Sequence, residues 1–247
     1  MEDFYINPKI VYQILADKGV EYLYHANTVL TSLTFINQKA LLSRSYVEKN
    51  NLIQTEQKSD GEDKKFNVWD DVFLDGLDLH KKYKRANKYG PVLFVMKLEL
   101  LQAPSVPPLL VTKNNPWYWK DQDSWEQRYF NDSEGIKANY LAAGQLDSRI
   151  MFTFRSPDTF IKLNKYLKGV IVDKPPIIVD VKSGEKKNIG DHAHEKIREA
   201  LDNNSMRHIP MKFRHADDNF HLCSCNFNYT WMKNWDFKDF FKRYRSS

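Results

Sequence analysis

The chain has 247 residues, 42% hydrophobic, 28% charged and 14% aromatic, which is enough apolar material for one substantial core in a single domain spanning 1–247. Nine glycines and ten prolines are too few for a collagen-like or linker-dominated chain, and no apolar run approaches the roughly 20 residues of a membrane helix. A net charge of +5 permits an acidic partner without demanding one, and the polar start Met1-Glu2-Asp3 is unlike a signal peptide, so a cytoplasmic location and no membrane partner are expected.

The first readable element is a strand in which Val20, Tyr22 and Tyr24 alternate with Glu21 and Leu23, ending in His25. Asn27 or Thr28 can cap a following helix over Val29 to Ala40, where Leu30, Leu33, Ile36 and Ala40 recur at helical spacing and predict one inward face. The turn Ser43-Arg44 comes next. An apolar run that delivers one histidine, then a helix, then a polar turn is the pattern of a ligand cleft; the alternative is a histidine satisfied at an element boundary. Residues 50 to 67, rich in Gln, Lys, Asp and Glu, predict an exposed loop, and Val72-Phe73-Leu74 a strand. The nearby Asp70, Asp71, Asp75 and Asp78 read as a solvated turn, or in a nuclease as ligands of a divalent ion.

The basic stretch Lys81 to Lys88 is either a solvated helix face or a phosphate track, and Gly90 to Met96 predicts a central strand. Between residues 103 and 130, Pro104, Pro107 and Pro108 break regular structure before Trp117, Tyr118, Trp119, Trp125, Tyr129 and Phe130, which form either a base- or nicotinamide-stacking wall or a lid packed on its own rings. Ile150 to Phe154 predicts another strand, entered from Gln145-Leu146-Asp147. Further strands are expected at 169–172 and 177–181, then a helix capped by Asp191 and running to about Leu201. Cys223 and Cys225 are too close for a comfortable disulfide. With His208, His215 and His221 they imitate a zinc site, yet the spacing matches no established finger, and strand alternation would make the thiols apolar fillers; no metal is expected. From Trp231 onward, Phe237, Phe240, Phe241 and Tyr244 predict a docked terminal helix, with Lys233, Lys238, Lys242, Arg243 and Arg245 left to face a polyanion.

The run Leu23-Tyr24-His25-Ala26-Asn27-Thr28, the helix carrying Leu33 and Ile36, and then Ala40-Leu41-Leu42-Ser43-Arg44 resemble the first motif of the ADP-ribosyltransferase superfamily. The opening is similar to those of DarT-type and phage-defence nucleic-acid-modifying toxins, and the resemblance spans about residues 20 to 155, leaving 156–247 as remaining strands and a C-terminal helical element. It implies an α+β fold, ADP-ribosyltransferase-like, with mixed and antiparallel sheets forming a split cleft and helices at the periphery. It also implies NAD as co-substrate, with His25 on a ribose hydroxyl and Tyr24, Thr28, Ser43 and Arg44 helping to hold the dinucleotide.

In that superfamily a Gln-x-Glu or Glu-x-Glu pair at a strand junction supplies the catalytic carboxylate. Gln145-Leu146-Asp147 resembles that pair with the shorter Asp in place of Glu; Glu126 and Glu134 are the other acids of the region. The resemblance thus assigns catalysis to His25, Gln145 and Asp147. It points to a transferase that modifies RNA or DNA, as a toxin or anti-phage effector with a cognate antitoxin. The alternatives are a protein-targeting ADP-ribosyltransferase and a nucleic-acid-binding module or metal-dependent nuclease without NAD chemistry.

Overall fold

The computed structural model describes residues 2–140, 149–155, 160–180, 184–215, 223–231 and 240–241. The first third holds α1 (Pro8–Ala16), β1 (Tyr22–Asn27), α2 (Val29–Asn37), β2 (Ala40–Leu42), α3 (Arg44–Lys49), α4 (Asp60–Lys65), β3 (Asp71–Asp75) and α5 (Leu79–Tyr83). The middle holds β4 (Val92–Lys97), β5 (Leu110–Val111), α6 (Trp125–Arg128), α7 (Ser133–Tyr140), β6 (Met151–Arg155), β7 (Phe160–Lys162) and α8 (Leu163–Tyr166). Then follow β8 (Leu167–Lys174), β9 (Ile178–Asp180), β10 (Lys186–Asn188), α9 (Ile189–Asn203), β11 (Met211–His215) and α10 (Cys225–Trp231).

Seven strands form one mixed sheet in the order β11-β8-β4-β1-β3-β6-β5, antiparallel throughout except for the parallel pair β11 and β8. Two short ladders, β2 with β7 and β9 with β10, stand apart from it. The fold is α+β with a mixed sheet, as expected. The alternating strand read around Tyr22 is the middle strand of the sheet. It pairs with β4 along its whole length, from Tyr22 opposite Lys97 to Asn27 opposite Val92, but with β3 only where Tyr24 faces Asp75. Beyond that pair β1 and β3 part.

Several expectations need correction. Helix α2 was expected to be amphipathic over Val29 to Ala40; it stops at Asn37, and every residue from Val29 to Ile36 is buried. The reason is that α2 lies under α9, so its outer side is covered too. Its polar members are satisfied internally: Ser32 Oγ donates to the Thr28 carbonyl at 2.7 Å and Thr34 Oγ1 to the Ile53 carbonyl at 2.6 Å. Lys39, at φ 56°, turns the chain out of the helix, and Ala40 begins β2. The segment 50–67 is not a plain loop but contains α4.

Asp191 does not cap α9. Asn188 does, accepting from the Gly190 and Asp191 N–H groups at 2.8 and 3.3 Å. The strand expected at 221–225 is overturned in its described part, because Cys225 opens helix α10. Beside the main hydrophobic cluster, the described residues form a smaller one of Phe4, Phe66, Val68, Leu110, Trp119 and Tyr129. Strand β3 serves both, with Val72 and Leu74 in the main cluster and Phe73 packed against the smaller one, as strand alternation requires. Among the described residues, no helix is long and apolar enough to cross a membrane.

Candidate active site

Where β1 leaves β3, the sheet opens into a cleft of about 810 Å³, counting the solvent at its mouth. His25, Ala26 and Asn27 form one lip and Asp71 to Phe73 the other, with Phe35, Arg44, Gln54, Gln57, Tyr89 and Pro116 among the remaining walls. A backbone carbonyl accepts but cannot donate, so the 2.9 Å contact between His25 Nδ1 and the Phe73 oxygen places the proton on Nδ1. The Nε2 lone pair then faces Asn27 Nδ2, which donates to it over a long 3.3 Å. Burial lowers the His25 pKa below its usual value of 6.5, so the ring is neutral at neutral pH, a hydrogen-bond acceptor aimed into the cleft. The Phe35 and Phe94 rings, with centroids 5.7 and 6.5 Å away, hold the imidazole in place.

Arg44 sits at the first turn of α3, where Ser43 caps the helix by accepting from the Tyr46 N–H at 3.1 Å. One end of the guanidinium is committed: Nη2 donates to Asp60 at 2.6 Å and to the Thr55 carbonyl at 3.1 Å, and the plane lies 5.1 Å from the centre of the Trp69 ring. Its Nε is buried with no hydrogen-bond partner among the described residues, and so is Gln54 Oε1. Asp60 Oδ1, on the carboxylate that Arg44 already holds, is a third buried atom without a partner among the described residues, so this wall carries polar capacity that its present contacts do not use.

The acids of β3 do not form the solvated turn that the sequence suggests. Asp71 and Asp75 are buried residues of a strand, on the same side as Phe73. Asp71 is fully engaged by the guanidinium of Arg155, with two hydrogen bonds of 2.7 and 2.8 Å. The Asp75 carboxylate has no hydrogen bond or ion pair among the described residues, and burial, reinforced by the charge of Asp78, pushes it up to about 7. Asp78 caps α5 and pairs with Arg214. These acids do not converge as metal ligands would. Asp75 is the cleft residue that sequence reasoning missed; the available signal was the alternation Asp71-x-Phe73-x-Asp75, which sets both acids on one face.

Of the other sequence-derived candidates, Tyr24 projects on the side of Asp75 and Asp78 rather than beside His25 and does not line the cleft. Thr28 caps α2, its hydroxyl within 2.9 Å of Thr55 Oγ1 and 3.1 Å of Thr31 Oγ1, and Ser43 caps α3; both position the walls without lining them. Gln145 and Asp147 lie outside the described residues, as do Lys233, Phe237, Lys238, Tyr244 and their neighbours. Met151, which begins β6 four residues after Asp147, lines the cleft. Glu126 and Glu134 are exposed and away from it, Glu134 bound to Lys137 at 2.7 Å. The aromatic stretch divides. Trp119, Tyr129 and Phe130 are buried, with Trp119 and Tyr129 edge-to-face at 5.2 Å, whereas Trp117 and Tyr118, beside the cleft residue Pro116, are 49% and 60% exposed.

Fold and cleft together define an α+β protein with an opening where two central strands part. Among solved structures the fold is similar to that of "Thermus sp. 2.9 DarT in complex with ADP-ribosylated ssDNA", with a TM-score of 0.51 and 8% sequence identity over 79% of this chain and 95% of that one. No protein-family model matches the sequence, and no curated protein matches it. At that identity the likeness is one of fold.

Proposed function

We propose that this chain is an ADP-ribosyltransferase that uses NAD as co-substrate and modifies nucleic acid, as a toxin or anti-phage effector for which a cognate antitoxin is the expected partner. The observation that carries the reading is His25: a neutral imidazole with its tautomer fixed by the Phe73 carbonyl, presenting Nε2 to the cleft as an acceptor for a ribose hydroxyl. Asn27, already at 3.3 Å, yields to that hydroxyl at small cost. Arg44 and Gln54 line the same cleft, and a side-chain rotation would bring the buried Arg44 Nε and Gln54 Oε1, which have no partner among the described residues, to the rest of the dinucleotide. Tyr24, Thr28 and Ser43 act behind these groups. The fold's similarity to a DarT bound to ADP-ribosylated single-stranded DNA favours nucleic acid as acceptor, and the exposed rings of Trp117 and Tyr118 beside the cleft suit base stacking.

Breaking the bond between ribose and nicotinamide builds positive charge on the ribose, so a carboxylate facing that carbon stabilises the transition state more than the substrate. Asp147 takes that role, with Gln145 orienting the nucleophile; the reading is supported by Met151, four residues on in the sequence, which lines the cleft. Asp75 is a second carboxylate in the cleft, and separate variants tell the two apart.

The test is incubation with labelled NAD and, in separate reactions, single-stranded DNA, RNA and cell protein, comparing wild type with His25→Ala, Asp147→Ala and Asp75→Asn. The expected result is label on nucleic acid, lost in His25→Ala and Asp147→Ala. Wild type that transfers no label and releases no nicotinamide overturns the proposal; label on protein alone moves it to the protein-targeting alternative.

A further inference from the structure

Outside the cleft lining, a histidine of α5 meets two cysteines more than 140 residues later in the chain. His80, on α5, is 2% exposed; its Nε2 lies 3.2 Å from Cys223 Sγ, and the Cys225 side chain, 1% exposed, completes a group whose three ligand atoms all fall within 4.8 Å of one another. The other ring nitrogen, Nδ1, is 3.0 Å from Asp173 Oδ2 on β8. A carboxylate accepts, so Nδ1 carries the proton and the Nε2 lone pair is directed at the two sulfurs. That is the arrangement of a metal-binding histidine whose tautomer is set by an acid behind it. The acid is itself held, since the Tyr229 hydroxyl donates to Asp173 Oδ2 and Arg214 Nη1 stands 3.8 Å from Oδ1. The Cys225 backbone N–H donates to Cys223 Sγ at 3.4 Å, which fixes the two cysteines relative to each other.

We propose that His80 Nε2, Cys223 Sγ and Cys225 Sγ bind a zinc ion, with Asp173 orienting the histidine from behind. Two sulfurs and one imidazole favour a soft or borderline cation over magnesium or calcium. With Zn–S near 2.3 Å and Zn–N near 2.0 Å, a tetrahedral ion sets its ligand atoms about 3.5 to 3.8 Å apart, a spacing this group reaches with side-chain adjustments of an ångström or less. The ion joins α5, the segment before α10 and, through Asp173, strand β8. None of the three ligands lines the cleft, so the proposal stands apart from the ADP-ribosyltransferase reading.

The experiment loads the reduced, full-length protein with Zn²⁺, removes excess by desalting, and measures bound metal; a parallel sample takes Co²⁺, whose thiolate charge-transfer and d–d absorption reports sulfur ligation in a tetrahedral field. Cys223→Ser, Cys225→Ser and His80→Gln are compared with His208→Ala, and circular dichroism establishes that each is folded. The expected result is a single tightly held equivalent, protection of both thiols from alkylation, a melting temperature lowered by chelator, and loss of all three in whichever ligand variants remain folded. Folded wild type that retains no zinc and gives no thiolate–cobalt band overturns the proposal, as does zinc retention undiminished in Cys225→Ser. The first of those outcomes leaves a His80–Cys223 hydrogen bond in the place of the metal.

Discussion

At the scale of single residues, the cleft depends on a glycine that touches no ligand. Gly90 has φ +145°, and a Cβ there would lie 2.2 Å from the Asn27 carbonyl carbon and oxygen and 2.4 Å from the Thr28 nitrogen. The loop before β4 thus lies directly against the turn that carries His25 into α2. Gly90→Ala is expected to cost at least about 3 kcal/mol in urea unfolding. Gly19→Ala, at φ +73° with nothing within 4 Å, is expected to cost about 1 kcal/mol. Asp75 gives a pH-dependent counterpart. Its carboxyl rises from 3.8 unfolded to about 7 folded, so across that window the folded chain holds more protons than the unfolded one, and stability falls as pH rises. Asp75→Asn is expected to remove that fall, making the variant more stable than wild type by up to about 4 kcal/mol above pH 7 and nearly equal to it at pH 4. Asp63, pushed up to about 6 by burial, keeps a smaller decline of the same sign in both proteins. A series of melting temperatures from pH 4 to 8 checks this; parallel profiles for the two proteins would show that Asp75 is already ionised at no cost.

At the scale of elements, what could be read in the sequence was what is local. The strand before His25, the cap at Thr28, the strands at β3, β4 and β6 and the presence of α9 follow from periods of two and 3.6 and from capping chemistry within a few residues. The misreadings have one cause, contact with something distant. Helix α2 lost its amphipathic face because α9, more than 150 residues later, covers it, and the polar segment 54–63 became a cleft wall because Arg44 is anchored to Asp60. His80 and Cys223, 143 residues apart, are beyond any spacing rule. Even α9 is capped three residues before the position that the sequence suggests, because Asp191 satisfies the sequence preference while Asn188 makes the bonds, its Nδ2 also donating to the Pro175 carbonyl at 2.7 Å. Asn188→Ala is therefore expected to cost about 1 to 2 kcal/mol. Asp191→Ala, which loses a partly exposed pair with Lys174, should cost at most about 1 kcal/mol. Equal losses in denaturant titrations would return the cap to Asp191.

At the scale of the whole molecule, the question is how a chain of only +5 net charge would hold a polyanion beside a partly apolar cleft. The basic residues Lys81, Lys82, Lys84 and Arg85 are exposed and do not line the opening. They can lend a long-range field, which salt screens, but not the position of a base at the ribose. Position has to come from the rim, where Trp117 and Tyr118 present rings to solvent while their neighbours Trp119 and Tyr129 pack inward and make the support rigid. Under the proposed function the two contributions separate. Trp117→Ala with Tyr118→Ala should weaken single-stranded DNA binding by about 1 to 3 kcal/mol for each base that loses its stacking partner, at any salt concentration, without reducing nicotinamide release from NAD alone. Replacing Lys81 and Lys82 by Gln should instead flatten the dependence of binding on salt and leave high-salt affinity nearly unchanged. Fluorescence anisotropy of a labelled oligonucleotide across a salt series measures both. If the aromatic double variant bound as wild type does, the rim would not be the acceptor's platform, and the acceptor would have to be sought on another face.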